Sequence, residues 1–298
     1  MSQINGKDDK RFRQIHDYID RMPSLSTTVT KVLEVCNRPN TSPNDLNRVI
    51  SLDPVLTGQV LKLINSAYYS LPNQITSLTR AIIMLGLNTV KNLALSTAIL
   101  GNLKGGEAGD VMSMDAFWTH SISVGVTAKA LAARKGVSVL MLEEFFVAGL
   151  LHDLGKIPLS SRFPEEYQQT LQLAKLEQGA LERAEALVFG FDHGEVGRLI
   201  AEKWKLSPTL VESMRCHHEP NRADSEHAQL VAIVALANLY VNVYDFGSAG
   251  DSYVSDYAVG YYLGLVGLSW EELVEMEASI QQEIGKAQVF LQVSQGVM

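Results

Sequence analysis

FFVAGLLHDLGK, residues 145–156, is the stretch on which the reading of this chain turns. Its first seven residues leave no polar face over nearly two turns, so the segment reads as a helix buried on all sides. It runs into His152-Asp153-Leu154-Gly155-Lys156, where Gly155 suits a C-terminal turn and Pro158 is expected to stop continuation. A carboxylate at that end meets the negative pole of the helix dipole, and desolvation beside apolar side chains adds to the cost. A cation must compensate. Lys156 is one candidate; a divalent transition metal held by the adjacent imidazole and carboxylate is the other.

Helical signals spread outward from this segment in both directions. Ser42-Pro43-Asn44-Asp45 supplies an N-cap, a first-turn proline and an acidic N3 residue ahead of Leu46, Val49 and Ile50. Asp53-Pro54 opens a second helix with Val55, Leu56, Val60, Leu61 and Ile64 at helical spacing, and apolar runs follow at 77–86 and 88–100. Ser269 and Glu272 form a capping box for a last clear helix running towards Phe290. No alternating strand pattern competes, and the expected fold is all-α. Residues 104–110 (KGGEAGD) read as a connector. It divides a smaller helical unit over 23–103 from a longer one over 111–298, with residues 1–22 as an N-terminal extension. The apolar faces of the first unit are expected to need the second, so the two are not read as independently folding domains.

Composition narrows the function classes. With 46% hydrophobic and 19% charged residues among 298, the chain affords a large core. A formal charge of -8 argues against a nucleic-acid polymer as partner, which needs a basic face to displace counterions. The two cysteines, Cys36 and Cys216, fit no zinc or redox spacing and point to a reducing compartment. The first residues, MSQINGKDDKRFRQ, lack a signal-peptide core, and the apolar run from Leu230 to Val243 is too short to span a bilayer. A cytoplasmic protein without membrane contact is expected.

Five of the seven histidines fall at the ends or on the inner faces of helices expected in the second unit. His120 shares a stripe with Phe117, Val124 and Leu131, and a core histidine held by hydrogen bonds is the simpler reading of it taken alone. His193 follows Asp192 and precedes Glu195, a capping-box arrangement that puts the imidazole in a first helical turn. His217-His218 closes the helix opened by Ser207-Pro208, so both rings can project inward from one helix end. Asn238 sits within VAIVALANLYV, where a buried amide needs partners, either structural or ligand-like. Each signal alone is weak, but their order is hard to attribute to chance.

In that order the chain resembles the HD superfamily of metal-dependent phosphohydrolases, and more closely its HDOD branch of bacterial signalling domains. The resemblance runs from about Pro23 to the region of Val243. It is carried by Asp53-Pro54-Val55-Leu56, Asn65-Ser66-Ala67-Tyr68, Ala81 through Leu85-Gly86, Trp118-Thr119-His120-Ser121, residues 149–156, Phe189-Gly190-Phe191-Asp192-His193 and His217-His218. It implies an HD-type helical bundle in the second unit. It further implies one metal on His120, His152 and Asp153, with Asn238 where catalytic relatives carry aspartate. Asp153 would bridge to a second metal on His193, His217 and His218, and Lys156 would face a substrate phosphate, making Asp153 and Lys156 the catalytic candidates. Iron, manganese, zinc and nickel all suit such ligands. Asn238 brings no charge and is the weaker ligand. His218-Glu219-Pro220 is followed by Asn221-Arg222-Ala223-Asp224, not by the Gly-Tyr-Pro signature of cyclic di-GMP phosphodiesterases.

Three functions follow as expectations. The first is a regulatory module in signal transduction that keeps a dinuclear metal site and acts through a protein partner. The second is an active phosphohydrolase on a nucleotide or another phosphoester. The third is a helical scaffold for protein–protein interaction whose histidines only satisfy core hydrogen bonds.

Overall fold

The structure, a computed structural model, describes residues 6–38, 40–103, 111–251 and 253–294, and every regular element among them is helical. In chain order these are α1 (Gly6–Arg21), α2 (Thr27–Cys36), α3 (Pro43–Ile50), α4 (Pro54–Ile64), α5 (Leu78–Leu85) and α6 (Leu87–Asn102). After the expected connector, which lies outside the described residues, come α7 (Met114–Arg134), α8 (Leu142–Leu151), α9 (Lys156–Arg162), α10 (Pro164–Leu176), α11 (Leu181–Phe189) and α12 (His193–Lys203). The chain continues through α13 (Pro208–Cys216), α14 (Ala228–Val243), α15 (Asp256–Val266), α16 (Trp270–Ala287) and α17 (Val289–Ser294).

Helix starts are set by side chains that satisfy the free N–H groups of the first turn. Ser42 and Asp45 form the expected reciprocal box, as do Ser269 and Glu272, while Asp53 accepts from Leu56 N at 2.9 Å. Asp192 caps α12, but Glu195 does not complete a box: its carboxylate pairs with Arg198 one turn on, at 2.6 Å.

The two ends of the chain cross over. α1 packs on α9, α11 and α12 of the second unit. Lys203 holds it there by donating to the last carbonyls of α1 and its exit, Ile19, Asp20 and Met22, at 2.5–2.8 Å. α17 packs on α4 and α6 of the first unit, setting Phe290 against Phe146 and Tyr68. One apolar core runs through both units. Cys36 and Cys216 are free thiols, and no single described helix is long and apolar enough to cross a membrane.

The centre of the second unit is the trio α7, α8 and α14. Two glycines let α7 and α8 touch backbone to backbone. A Cβ on Gly149 would lie 2.7 Å from the Gly125 Cα, and one on Gly125 would lie 2.6 Å from the Phe146 carbonyl oxygen. This crossing brings His120 on α7 level with the end of α8.

Two readings of the deciding stretch need correction. Pro158 does not stop a helix; it lies in the first turn of α9, where a proline has no intrahelical N–H bond to forfeit. Gly155 is not a left-handed terminator, since its φ is -63°. Its role is steric: a Cβ there would stand 1.9 Å from the His193 carbonyl oxygen, so only glycine admits α12 so close to the turn after α8.

Candidate metal centre

Four helix ends or faces converge on Asp153. The turn leaving α8 supplies His152 and Asp153, the inner face of α7 supplies His120, the first residue of α12 is His193, and the end of α13 supplies His217 and His218. His120, His152, Asp153 and His193 are fully enclosed, and His217 nearly so. The sequence therefore brings all six predicted His and Asp residues to one place.

The Asp153 carboxylate divides them. Oδ2 faces His152 Nε2 at 3.3 Å and His120 Nε2 at 3.6 Å, whereas Oδ1 faces His193 Nε2 at 3.2 Å and His217 Nε2 at 3.5 Å. His193 Nε2 in turn lies 3.2 Å from His217 Nε2 and 3.0 Å from His218 Nε2. Two sets of donor atoms result, His120/His152/Asp153 and Asp153/His193/His217/His218, sharing the carboxylate.

Tautomers follow from the outer ring nitrogens. His152 Nδ1 lies 2.7 Å from the Gly149 carbonyl oxygen, and His217 Nδ1 lies 3.1 Å from that of Met214, so both donate there and turn a bare Nε2 inward. His193 Nδ1 is 2.6 Å from Glu185 Oε2. This is the outer support that ion-ligating imidazoles receive from carbonyls and carboxylates. Nε2 atoms about 3 Å apart are held together either by a shared proton or by a cation among them. Two donors about 2.1 Å from one ion, spread by about 90–109°, stand about 3.0–3.4 Å apart, which matches the distances from His193 Nε2 to His217 Nε2 and His218 Nε2. Neither ring nitrogen of His120, nor His152 Nε2, has a hydrogen-bond partner. The donor set fits a divalent transition metal in both chemistry and spacing.

Burial drives His120, His217 and His218 towards neutrality, the form that ligates: the pKa of His120 falls to about 3 and that of His217 to about 4. At Asp153 burial favours the neutral acid, but His152 and Lys156 overcome it and hold the pKa well below the usual carboxylate range. At His193 burial also disfavours the charge, yet Glu185 outweighs it and lifts the pKa to about 10. An ion arriving at His193 Nε2 must displace that proton.

Lys156 is fully enclosed, with its ammonium 2.8 Å from Asp153 Oδ2 and 2.5 Å from Asp251 Oδ2. Asn238 is buried; its Oδ1 accepts from Asn242 Nδ2 at 3.0 Å. It shares with His217, His218 and Asp251 the wall of a cavity of about 680 Å³. Arg183 and the rings of Tyr257, Tyr261 and Tyr262 complete much of that wall.

Sequence reading missed Glu185, Tyr167 and Asp251. Glu185 takes His193 N–H at 2.8 Å and the Tyr167 hydroxyl at 3.1 Å, and it is fully buried. The available signal was its place four residues after Leu181 and four before Phe189, a charge on an apolar stripe. Asp251 lies in a loop without periodicity and offered no such signal.

Known proteins agree with this architecture. The sequence pattern of the HDOD domain matches residues 22–220. An HDOD domain protein of unknown function from Geobacter sulfurreducens is 26% identical and superposes with a TM-score of 0.77, covering 95% of this chain and 98% of its own. A Shewanella amazonensis protein provisionally named a phosphohydrolase, at 24% identity and TM-score 0.71, covers 93% and 98% and shares the fold. Among curated sequences, an uncharacterized Treponema pallidum protein is 27% identical over 254 residues, which is 82% of this chain and 46% of that protein. Ribonuclease Y of Mycoplasma mycoides is 30% identical over 156 residues, 50% of this chain and 28% of its own length. The chain thus spans less than half of either curated relative.

Proposed function

Given that the chain belongs to the HDOD domain family, we propose that it is a regulatory module of signal transduction built around a dinuclear metal centre. One observation carries the reading: the two oxygens of Asp153 face separate sets of imidazole Nε2 atoms. In this assignment His120 and His152 hold one ion, His193, His217 and His218 hold the other, and Asp153 bridges them. Glu185 orients His193, and the Gly149 and Met214 carbonyls orient His152 and His217. Regulation rather than turnover is favoured by the neutral Asn238 and by Lys156, whose charge is spent on two carboxylates instead of being offered to a phosphate. Exposed apolar side chains at Ile83, Met84, Val139 and Leu140 give a protein partner surface to bury.

A second reading, a phosphohydrolase on a nucleotide or other phosphoester, is favoured by the cavity that opens onto His217, His218 and Asn238 between tyrosine rings. Bound ions would supply Lewis acidity and lower the pKa of a water molecule there. A nucleic-acid polymer suits the cavity poorly, because Glu177, Glu182, Glu219 and Asp251 line it against a single arginine, Arg183. Metal analysis of protein purified without a histidine tag, followed by a phosphoester panel with added manganese or iron, separates the readings. Bound metal with negligible turnover is the expected result; rapid turnover favours the second reading, and no metal under any loading defeats both. Asn238→Asp is expected to tighten ion binding, checked by chelator competition.

A further inference from the structure

We propose that Asp251 is a positioning residue of the ion site: it takes the charge of Lys156 off the bridging carboxylate and leaves Asp153 free to serve cations. The inference rests on the two-ion reading above and concerns a residue outside the segment that carries the family match, residues 22–220.

The donor set consists of five imidazoles, neutral when they ligate, and one carboxylate. Its whole formal charge is therefore that of Asp153. The Lys156 ammonium, 2.8 Å from Asp153 Oδ2 and shut away from solvent, cancels that charge where little water screens it. A site whose net charge is zero is a poor host for divalent ions. Glu185 does not repair the deficit at the ammonium: it carries a negative charge, but its hydrogen-bond partners are His193 and Tyr167, so that charge sits behind His193. Asp251 does, by placing Oδ2 2.5 Å from the same ammonium.

The loop between α14 and α15 is built to deliver it. Ser248 N donates to the Ala116 carbonyl at 3.1 Å, which ties the loop to the turn of α7 that carries His120. Gly247 has φ +79°, and a Cβ there would lie 2.5 Å from His120 N, so the loop lies flush against the ligand-bearing backbone. From that anchor Asp251 reaches Lys156 with its side chain 9% exposed, forming part of the cavity wall.

The test is Mn²⁺ binding to the chelator-stripped full chain, read from the electron paramagnetic resonance of free Mn²⁺. Wild type is compared with Asp251→Asn, Lys156→Gln and the double variant. Asp251→Asn is expected to weaken binding about tenfold or more. The double variant should return to within about threefold of wild type, because no uncompensated ammonium remains. Unchanged affinity in Asp251→Asn overturns the proposal. A double variant as weak as Asp251→Asn also overturns it, since Asp251 would then be only a latch for its loop. Should Asp251→Asn fail to fold, Lys156→Gln decides: affinity at or above wild type supports the proposal and weaker affinity contradicts it. A wild-type protein that takes up no Mn²⁺ counts instead against the two-ion reading.

Discussion

In α6 the buried hydroxyls of Ser96 and Thr97 donate to the carbonyls of Asn92 and Leu93, at 2.9 and 2.7 Å, whereas in α7 the buried ring of His120 has neither nitrogen hydrogen-bonded. Both helices are packed in the same apolar core. The Ser96 and Thr97 hydroxyls are thus absorbed by their own helix, one turn back. In the second unit, imidazole and carboxylate atoms stand enclosed and unpartnered around Asp153. Leaving a buried polar atom without a partner costs about 1–3 kcal/mol, so a group of them needs a ligand to repay it. The contrast is between hydroxyls satisfied by a carbonyl of their own helix and imidazoles whose nitrogens converge on one carboxylate.

The largest effect expected from breaking this contrast is at its centre. Asp153→Ala removes the carboxylate shared by both donor sets and one of two counter-charges of Lys156. Ion binding should be lost, and stability should fall by about 3–5 kcal/mol, the cost of opening a buried charge network, as read by denaturant melts. Unchanged metal content would remove the bridging assignment. Next, Gly149→Ala pushes a methyl group to within 2.7 Å of the Gly125 backbone. The crossing of α7 and α8 must shift, with an expected loss of about 1–3 kcal/mol and a fall in ion affinity as His120 and His152 move apart.

A smaller and more selective effect is expected at Glu185. Glu185→Gln keeps the shape of the side chain but weakens its hold on His193 Nδ1. Ion affinity should fall about 10–100-fold by chelator competition. An unchanged affinity would reduce Glu185 to a packing residue. The smallest effect belongs to the first unit. Ser42→Ala removes an N-cap and should cost about 1 kcal/mol in a thermal melt while leaving ion affinity unaltered. A change in ion affinity there would show that the two units do not treat their polar groups independently.

The residues differ in how much of this they disclose along the chain. The helices with N-caps and apolar stripes, such as α3, α4 and α16, are legible because both signals are local. The histidines are legible because five of them and Asp153 fall at helix ends or inner faces in a characteristic order. What holds them is less legible. Glu185 is one glutamate in a helix that also carries Glu182, and its place on the stripe between Leu181 and Phe189 is its single signal along the chain. Asp251 lies 95 residues from Lys156, and only the path of its loop brings the two together. The local preference of Gly155 says where a helix can end, while the approach of α12 decides why a glycine is needed there; Pro158 suits a helix start as well as a stop, and here it starts α9.

The most direct measurement is anomalous diffraction from crystals of untagged protein grown with a divalent transition metal. The account predicts two anomalous peaks on either side of Asp153, one beside His120 and His152 and one among His193, His217 and His218. Absence of any peak at Asp153, with the imidazoles paired to one another or to water, would contradict it.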